Sequence, residues 1–469
     1  MHFMTFSKLT APRHLVRCDH AAVVPVDQAA FGERAVGRAL RSVVEIAKLA
    51  AIPAAFAIGM LASREARAEV SILKTADGWD LYTTGRVDAF FSYGRGDVIP
   101  LARPGETIPD GGGLPTGSDS IPKIDPATGM PSTTAQGTFE SMRVRSGFVP
   151  NMLGVGLRRK INDDWSVKAF INIWATIEEE SQRKANPVFA DVREGYVKIE
   201  SSKYGTLTAG KALELFSRGA VENDFLYHDG YGLGFPGNID TAGPTNGMIG
   251  FGVLAAFFSA GFMYATPSLL GLQLSVGVYD PTTLPGQYDS TQGARPEAEL
   301  TYDLAAGIVK AHLFGNYAYQ SFYKPGVLTS AKAYGIGYGG RVEVGPVHLG
   351  FAGHWGRGLG LEYAFQPGDV AVTQDGQLRF FDGYSVFGQV VAGPFDFNAG
   401  WGLSRALALP QDMGTNVSLP SQYAISGGIV YHATDYLHFD VDYLHGRVDW
   451  SLGEHQNIDF LNAGIIVTW

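Results

Sequence analysis

The segment Gly205–Ala212, which reads GTLTAGKA, nearly matches the phosphate-binding loop G-x-x-x-x-G-K-[ST]. In that loop the glycine backbone holds phosphate groups and the last Ser or Thr binds Mg²⁺. Here the last position is alanine. The residues also alternate like a strand that leads into a loop, whereas a phosphate-binding loop opens a helix. The segment therefore does not predict nucleotide binding, and no cofactor is expected.

Two carboxylates near histidines form a second candidate site. Asp440 and Asp442 are two residues apart, with His432, His438 and His445 close by in sequence. Paired acids can transfer protons or bind a metal ion, but no Ser-His pair or metal-ligand cluster of recognised spacing accompanies them. Their period of two is typical of one face of a strand. We therefore predict neither a catalytic site nor a metal site.

Composition indicates which elements carry these residues. The 469 residues include 60 Gly, 28 Phe, 21 Tyr and 7 Trp, and 17% are charged, against about 25% in soluble domains. Abundant glycine and aromatic residues favour many strands and turns. The single cysteine, Cys18, lies in the leader predicted below, so no disulfide framework is expected in the mature chain.

An export signal is predicted within residues 38–68. Basic residues precede an apolar stretch over 49–62, and residues 66–68 read Ala-Arg-Ala, the small-x-small pattern of a signal-peptidase site. The stretch has 14 residues, fewer than the roughly 17 to 25 that a helix needs to cross hydrocarbon. We therefore predict a leader over 1–68, cut after Ala68, and one domain over 69–469.

Net charge argues against a nucleic-acid partner, and the distribution of apolar residues limits how the chain could span a membrane. Residues 1–68 contain nine of the 36 basic and five of the 46 acidic residues, so residues 69–469 carry a net charge of −14. Nucleic acid is not expected as a partner, because phosphate binding needs a basic surface. No run of 18 apolar residues follows the leader. A membrane-spanning form would therefore be a closed barrel of strands.

Turns and loops alternate along the mature chain. Seven tight turns of small residues join alternating segments into hairpins, and eight longer polar loops rich in Pro, Gly, Asp and Ser connect the segments on the other side, which makes sixteen strands. The tight turns fall near 162–164, 202–204, 267–269, 305–306, 345–346, 393–394 and 433–435. The long loops fall at about 96–137, 178–190, 212–250, 281–294, 320–331, 358–378, 405–420 and 448–457. This sorting predicts an all-β, antiparallel transmembrane barrel of sixteen strands, with short periplasmic turns and long external loops.

The two faces of each predicted strand differ in polarity. In the first strand Val87 and Phe91 alternate with Arg86 and Asp88, and the same alternation recurs around 167–173 and 437–443. One face is apolar and suits lipid, whereas the other carries charges of both signs and suits an aqueous lumen. The strand pattern therefore places the charged residues inside the barrel.

Four segments resemble the general bacterial outer-membrane porins. They are LYTTGRVDAFFSYG at the first strand, REGYVKIESSKYGTLTAGKA before the third loop, GFMYATPSLLGLQLSVGVY around a Thr-Pro turn, and the ending IDFLNAGIIVTW. The resemblance implies a homotrimer of sixteen-stranded barrels in the lipid of the bacterial outer membrane. It also implies passive diffusion of small hydrophilic solutes and ions.

In porins the third loop folds into the lumen and faces basic residues of the wall. The resemblance thus assigns a constriction to the loop at about 212–250, although this loop lacks the family's usual Pro-Glu-Phe-Gly stretch. The acidic candidates are Glu214, Glu222, Asp224, Asp229 and Asp240. The basic candidates, chosen by alternation with the apolar face, are Arg86, Arg143, Arg145, Lys168 and Lys198. Charges of opposite sign across a narrow pore orient dipolar solutes and set ion preference.

The chain ends on an alternating strand whose last residue is Trp469. In a closed barrel the last strand pairs with the first, and an aromatic residue suits the membrane interface. The resemblance implies that the terminal aromatic is also the signal read by the barrel-insertion machinery, where Phe is more usual. We expect deletion of residues 467–469 to leave secretion intact and to reduce insertion sharply.

Other functions stay open at this point. A solute-selective porin of the sugar or phosphate type would need a row of lumen aromatics, for which Phe170, Trp174 and Phe387 are candidates. A barrel enzyme or adhesin would have a plugged lumen. An energy-coupled transporter is disfavoured because no plug domain precedes the strands. Net acidity weakly suggests cation preference, although the constriction decides selectivity.

Overall fold

The computed structural model describes residues 69–108, 120–121, 123–130, 132, 135–177, 190–226, 247–282, 293–323, 330–365, 372–373 and 376–469. The predicted leader over 1–68 lies outside these residues. No helix in the described part of the chain is long and apolar enough to cross a bilayer.

Nearly all regular structure in these residues is β-strand. The strands are β1 Val70–Lys74, β2 Trp79–Asp97, β3 Ser120–Ile121, β4 Thr138–Arg145, β5 Asn151–Lys160, β6 Trp165–Ala175, β7 Ala190–Ser201, β8 Gly205–Leu213, β9 Phe258–Ala265, β10 Leu272–Tyr279, β11 Arg295–Ala306, β12 Val309–Tyr323, β13 Ser330–Val344, β14 Val347–Arg357, β15 Phe380–Ala392, β16 Phe395–Leu407, β17 Pro420–His432, β18 Leu437–Trp450 and β19 His455–Thr468. A short helix, α1, spans Arg218–Asn223, and a 3₁₀ turn spans Pro410–Asp412.

The strands form one closed antiparallel barrel. Each wall strand pairs with its neighbours in the chain, and β19 pairs with β2 to close the ring. Strands β4 and β5 both pair with β2. Strand β5 lies beside the first half of β2, and β4 lies beside its second half. They therefore form one wall strand, interrupted at residues 146–150. With β1 and β3 set aside, the wall has sixteen strands, which confirms the predicted fold.

Side chains alternate across the wall as the sequence indicates. Val87 and Phe91 on β2 are exposed on the outer surface, whereas Arg86 and Asp88 are buried inside. On β19 the odd-numbered apolar residues, such as Leu461 and Ile465, lie outside. Because a barrel satisfies its backbone hydrogen bonds between strands, such an apolar outer surface can face hydrocarbon.

The predicted turns match the observed ones, with two differences. Strand β11 continues through Ala305-Ala306, and the turn to β12 is formed by residues 307–308. The last connection, predicted as a long loop at about 448–457, is a tight turn of residues 451–454. It is tight because β18 and β19 stay paired to Asp449 and His455.

The barrel seam includes both ends of the described chain. The Trp469 backbone N–H donates to the Gly85 carbonyl at 3.0 Å, and the Gly85 N–H donates to the Trp469 carbonyl at 2.9 Å. From Thr83 toward the start of β2 the partner strand is β1, with Val70 paired to Thr83. Strand β2 is thus paired along its length on this side, first with β1 and then with β19.

Two loops fold inward and fill part of the lumen. Loop 3 (residues 214–257, described at 214–226 and 247–257) packs apolar side chains against the inner faces of β12–β18. Phe225 contacts Phe387 with ring centroids 5.8 Å apart. Loop 6 (residues 358–379, described at 358–365, 372–373 and 376–379) joins loop 3 through a parallel bridge between Ala255 and Tyr363. The barrel therefore has an internal apolar core on one side.

The seam gives a test of the closure. A side chain at Gly85 would overlap the Trp469 indole, which lies against this glycine. We expect Gly85→Val to displace the indole and to destabilise the barrel by about 1–3 kcal/mol, the usual cost of overpacking. The measurement is the temperature at which the barrel unfolds, followed by its mobility in detergent gels with and without heating.

Gly315→Val is the matched control, because a Cβ at this strand glycine meets no atom within 4 Å. If both variants unfolded at the same temperature, the contact with Trp469 would not stabilise the seam.

Candidate functional site

A cavity of about 520 Å³ lies inside the barrel. Its wall comes from β2 and from β5–β9, and the opposite boundary comes from α1 in loop 3. The charged residues that line it are Arg86, Glu194, Lys198, Arg218 and Glu222. The aromatic residues that line it are Phe170, Trp174, Tyr196 and Phe258. The cavity thus occupies the side of the lumen that the internal core leaves open.

Helix α1 presents two opposite charges to this cavity. Arg218 and Glu222 are four residues apart, so they lie on one face of the helix, and both line the cavity. The other face is buried and includes Ala220 and Val221. Gly219 lies so close to the Phe314 ring that a larger side chain would overlap it. The close packing of this face holds the charged face toward the cavity.

A buried ionic cluster ties the start of loop 3 to strand β11. The Arg295 guanidinium donates to Glu214 and, through Nε at 2.8 Å, to Glu297. Glu297 also accepts the backbone N–H of Phe216 at 2.8 Å. The side chains of Arg295, Glu214 and Glu297 are fully buried. Because a buried charge without a partner is costly, the cluster fixes where loop 3 leaves the wall.

A second anchor lies at the end of α1. Asp224 is fully buried and accepts the backbone N–H groups of Leu226 at 2.9 Å and Met248 at 2.7 Å. Burial raises the pKa of the Asp224 carboxyl to about 7, against the opposing effect of these two hydrogen bonds. Residue 224 thus joins the two described parts of loop 3.

The structure separates the predicted acids. Glu222 lines the cavity, whereas Glu214 belongs to the buried cluster with Arg295. Asp224 is the buried anchor and does not line the cavity. Asp229 and Asp240 lie outside the described residues. Among the described acids of loop 3, one therefore faces the open lumen.

The predicted bases are also separated. Arg86 and Lys198 line the cavity, and Arg86 pairs with Asp88 at 2.6 Å. Lys168 pairs with Glu69 at 3.1 Å. The two remaining candidates lie on β4, which does not border the cavity, with Arg145 buried and Arg143 partly exposed.

The aromatic candidates divide in the same way. Phe170 and Trp174 on β6 line the cavity, and Tyr196 on β7 and Phe258 on β9 join them. Phe387 instead packs inside the apolar core against loop 3. Alternation along β6 was enough to find the first pair, whereas Tyr196 and Phe258 needed the neighbouring strands to be in register.

The earlier candidates for other chemistry lie in the wall. Gly205–Leu213 is strand β8, and Lys211 donates to the Val192 carbonyl at 2.7 Å. Asp440 and Asp442 are buried on the inner face of β18. No group of three or more His, Cys, Asp or Glu residues in the described ranges is arranged to hold a metal ion.

Sequence reasoning missed the residues that hold loop 3. Arg295, Glu297 and Glu299 alternate along β11, and all three are buried inside. Glu297 binds Arg295, and Glu299 forms an ion pair with Arg218. Three charged residues at a period of two indicate, from sequence alone, a charged inner face on this strand. Their partners are 81 positions away in the chain, which no local pattern reveals.

The family described as Gram-negative porin matches residues 54–449. The outer membrane channel DcaP of Acinetobacter baumannii has a similar structure, with a TM-score of 0.61 and 12% identity over 85% of this chain and 100% of that one. Salmonella typhi OmpF, solved in complex with daunomycin, has a TM-score of 0.52 and 12% identity over the same shares. At such identities the likeness concerns the fold. A search of curated proteins found no matching sequence.

The Arg295 cluster gives one test of how loop 3 is held. Arg295→Met leaves Glu214 and Glu297 buried without their cation, and removing one member of a buried ion pair costs about 3–5 kcal/mol. We expect loop 3 to leave the wall while the strands stay paired. Hydrogen exchange of the segment 214–226 should accelerate strongly, with little change in β16–β18.

Arg341→Met is the control, because Arg341 on β13 is only partly buried and lies 3.4 Å from Glu343. Equal acceleration in both variants would mean that the cluster does not anchor the loop.

Asp224 gives a pH test of the second anchor. Its pKa is raised from 3.8 to about 7 in the folded loop, so the folded state binds the proton more tightly than the open loop does. The stabilisation is therefore complete below about pH 4 and is lost as pH rises toward 7. We expect protection of the segment 214–226 to fall by up to about tenfold per pH unit in this window. Exchange rates must be corrected for their intrinsic pH dependence.

Asp224→Asn does not titrate, so its corrected protection should be flat across the same window. A wild-type profile as flat as that of the variant would contradict the assignment.

Proposed function

The chain belongs to the Gram-negative porin family, and on that premise we propose that it forms a water-filled channel for passive diffusion of small hydrophilic solutes and ions. As a member of this family it is a β-barrel of the outer membrane. The observation that carries the proposal is the cavity inside the barrel, bounded by charges of both signs on a wall and on an inward loop.

The charge arrangement supports diffusion of polar solutes. Arg86 and Lys198 lie on the wall, and Arg218 and Glu222 lie on α1. Opposite charges across a narrow passage create a transverse field that favours dipolar solutes over apolar ones. Such charges also keep the passage wet, because desolvating them costs free energy.

The internal core supports a narrow channel. Loops 3 and 6 fill the lumen beside β12–β18 with buried apolar residues, such as Phe251 and Phe365. Solutes are left with the side bounded by β2 and β5–β9. A passage reduced in this way suits small molecules and excludes folded polypeptides.

Selectivity follows from the cavity charges more than from the net charge. Three cations and two carboxylates line the cavity, although the chain after the leader is acidic overall. The ring of charge nearest the ions sets their preference. We therefore propose that the channel lacks the cation preference that net acidity alone suggests.

Export, assembly and insertion complete the proposal. The signal peptide within 38–68, with cleavage after Ala68, would direct the chain across the inner membrane. We infer a homotrimer from the family and an insertion signal at Trp469. The indole of Trp469 covers Gly85 on the outer surface of the seam, so it is accessible at the barrel exterior.

A second candidate is a solute-selective porin. It is favoured by the grouping of Phe170, Trp174, Tyr196 and Phe258 around one cavity. Aromatic rings in a lumen bind apolar faces of solutes. This candidate shares the channel and differs in having a binding site within it.

Conductance and charge selectivity can be tested together. Purified protein in a planar bilayer should give stepwise currents, and the reversal potential in a salt gradient reports ion preference. Lys198→Glu replaces a cavity cation by an anion, so we expect the reversal potential to move clearly toward cation preference. The effect should shrink at high salt, where exposed charges are screened.

Lys203→Glu is the matched control, because this exposed lysine lies in the turn 202–204, away from the cavity. Absence of conductance steps in the wild type would refute the channel. An equal shift in both variants would show that the cavity does not set selectivity.

A further inference from the structure

We propose that the cavity binds a zwitterionic solute with an aromatic or large apolar side chain, which is the chemistry of an aromatic α-amino acid. The proposal rests on the proposed channel function and names the solute class of its binding site. Four observations carry it: a lysine and a glutamate of the cavity that make no ion pair, their placement on different elements, the aromatic lining, and polar atoms without partners.

One cation, Lys198, and two anions, Glu194 and Glu222, line the cavity and make no ion pair with any described residue. Glu194 accepts a hydrogen bond from the Asn172 side-chain amide at 3.0 Å. Arg86 is held by Asp88 at 2.6 Å, and Arg218 is held by Glu299. Lys198 and Glu222 line the same cavity and have no such partner in the described part of the chain. A solute that carries both a carboxylate and an ammonium group can satisfy both at once.

These two charges lie on different sides of the cavity. Lys198 belongs to β7, in the open part of the wall. Glu222 belongs to α1, which packs against β12–β14 on the far side of the ring. Because the cavity separates them, neither can neutralise the other directly. A zwitterion between them places its carboxylate at Lys198 and its ammonium group at Glu222.

Aromatic rings line the same cavity as these two charges. Phe170 lies 5.6 Å from Tyr196, and Trp174 meets Phe258 edge-on at 5.3 Å, measured between ring centroids. Two methionines, including Met263, complete this lining. Aromatic and thioether groups favour contact with another ring. The lining therefore suits a solute with a planar apolar side chain better than one that is polar throughout.

Three polar atoms of the lining lack hydrogen-bond partners. They are the Trp174 indole N–H, the Thr208 hydroxyl and the Asn172 side-chain carbonyl, and all three residues line the cavity. Asn172 uses its amide nitrogen to donate to Glu194 at 3.0 Å, which leaves its oxygen as an acceptor. Buried polar groups are normally paired. Here they offer one donor, one acceptor and one hydroxyl to a bound molecule.

The same features disfavour other small solutes. A neutral sugar would leave Lys198 and Glu222 unpaired. Inorganic phosphate would be repelled by the Glu222 carboxylate, and Lys198 would be the one cation without an ion pair available to bind it. The volume of about 520 Å³ is within the roughly 300–1,000 Å³ of small-molecule sites. An aromatic amino acid uses both charges and the rings together.

The test is block of single-channel current by defined probes. We would add L-phenylalanine, 3-phenylpropionate, 2-phenylethylamine, glycine or glucose to the wild-type channel at pH 7. Salt is kept near 0.1 M, because screening shortens the reach of charges at higher salt. We expect phenylalanine to reach half-block at a concentration several-fold below that of every other probe. An equal or stronger block by glucose, glycine or either singly charged probe would overturn the proposal.

Two variants separate the charges. Lys198→Met should raise the half-blocking concentration of phenylalanine about tenfold, the effect of one charge-assisted hydrogen bond, and should leave phenylethylamine unchanged. Glu222→Gln should raise the half-blocking concentration of phenylalanine by a similar factor and leave that of phenylpropionate unchanged. If a variant raised the half-blocking concentrations of all probes equally, its charge would not recognise the solute, and the proposal would fail.

Two further measurements isolate the outcome. Lys203→Met and Asp163→Asn change exposed charges in turns away from the cavity. Phenylalanine should therefore block both variants at the same concentration as the wild type. Gel mobility before and after heating confirms that each variant is folded. A wild type without conductance would refute the channel itself, whereas a conducting wild type that phenylalanine does not block would refute only the binding site.

Discussion

A strand in hydrocarbon cannot leave its backbone polar groups unpaired, and this constraint organises the molecule. The barrel must close, so β19 has to meet β2 in register. The register ends where Trp469 and Gly85 exchange two backbone hydrogen bonds. Strand β1 then pairs with the part of β2 that β19 does not reach. Both ends of the described chain therefore pair with β2 at the seam.

Inside the ring the physical problem is reversed, because charges and apolar groups share a small volume. The inward loops fill one side of the lumen and leave the cavity on the other. Loops 3 and 6 pack apolar residues against β12–β18, whereas the inner faces of β2 and β5–β9, which carry charged and aromatic residues, border the cavity. Arg295, Glu214 and Glu297 stand at the boundary and hold loop 3 in place. The position of α1, and with it the width of the cavity, depends on that buried cluster.

Much of the wall could be predicted from sequence, because strand period, turn residues and loop length are local properties. The faces of β2 and β19 and the turns such as 345–346 belong to this class. The lumen could not be predicted in the same way. Alternation tells whether a side chain points inward, but not whether it meets water, a loop or an ion partner. Glu214 and Glu222 look alike in sequence; one is fully buried by Arg295, 81 positions away, and the other faces the cavity. The fold of loop 3 depends on such distant contacts, so its site could be predicted only as a set of candidates.

The internal core has a consequence for how such a channel can change over time. Residues such as Phe314, which supports Gly219 under α1, never meet a passing solute, yet their volume determines where the charged face of the helix sits. A substitution there would shift the passage by a fraction of an ångström without altering any group that lines it. Permeability can therefore drift through ordinary packing changes, and two descendants with the same lining could admit different molecules.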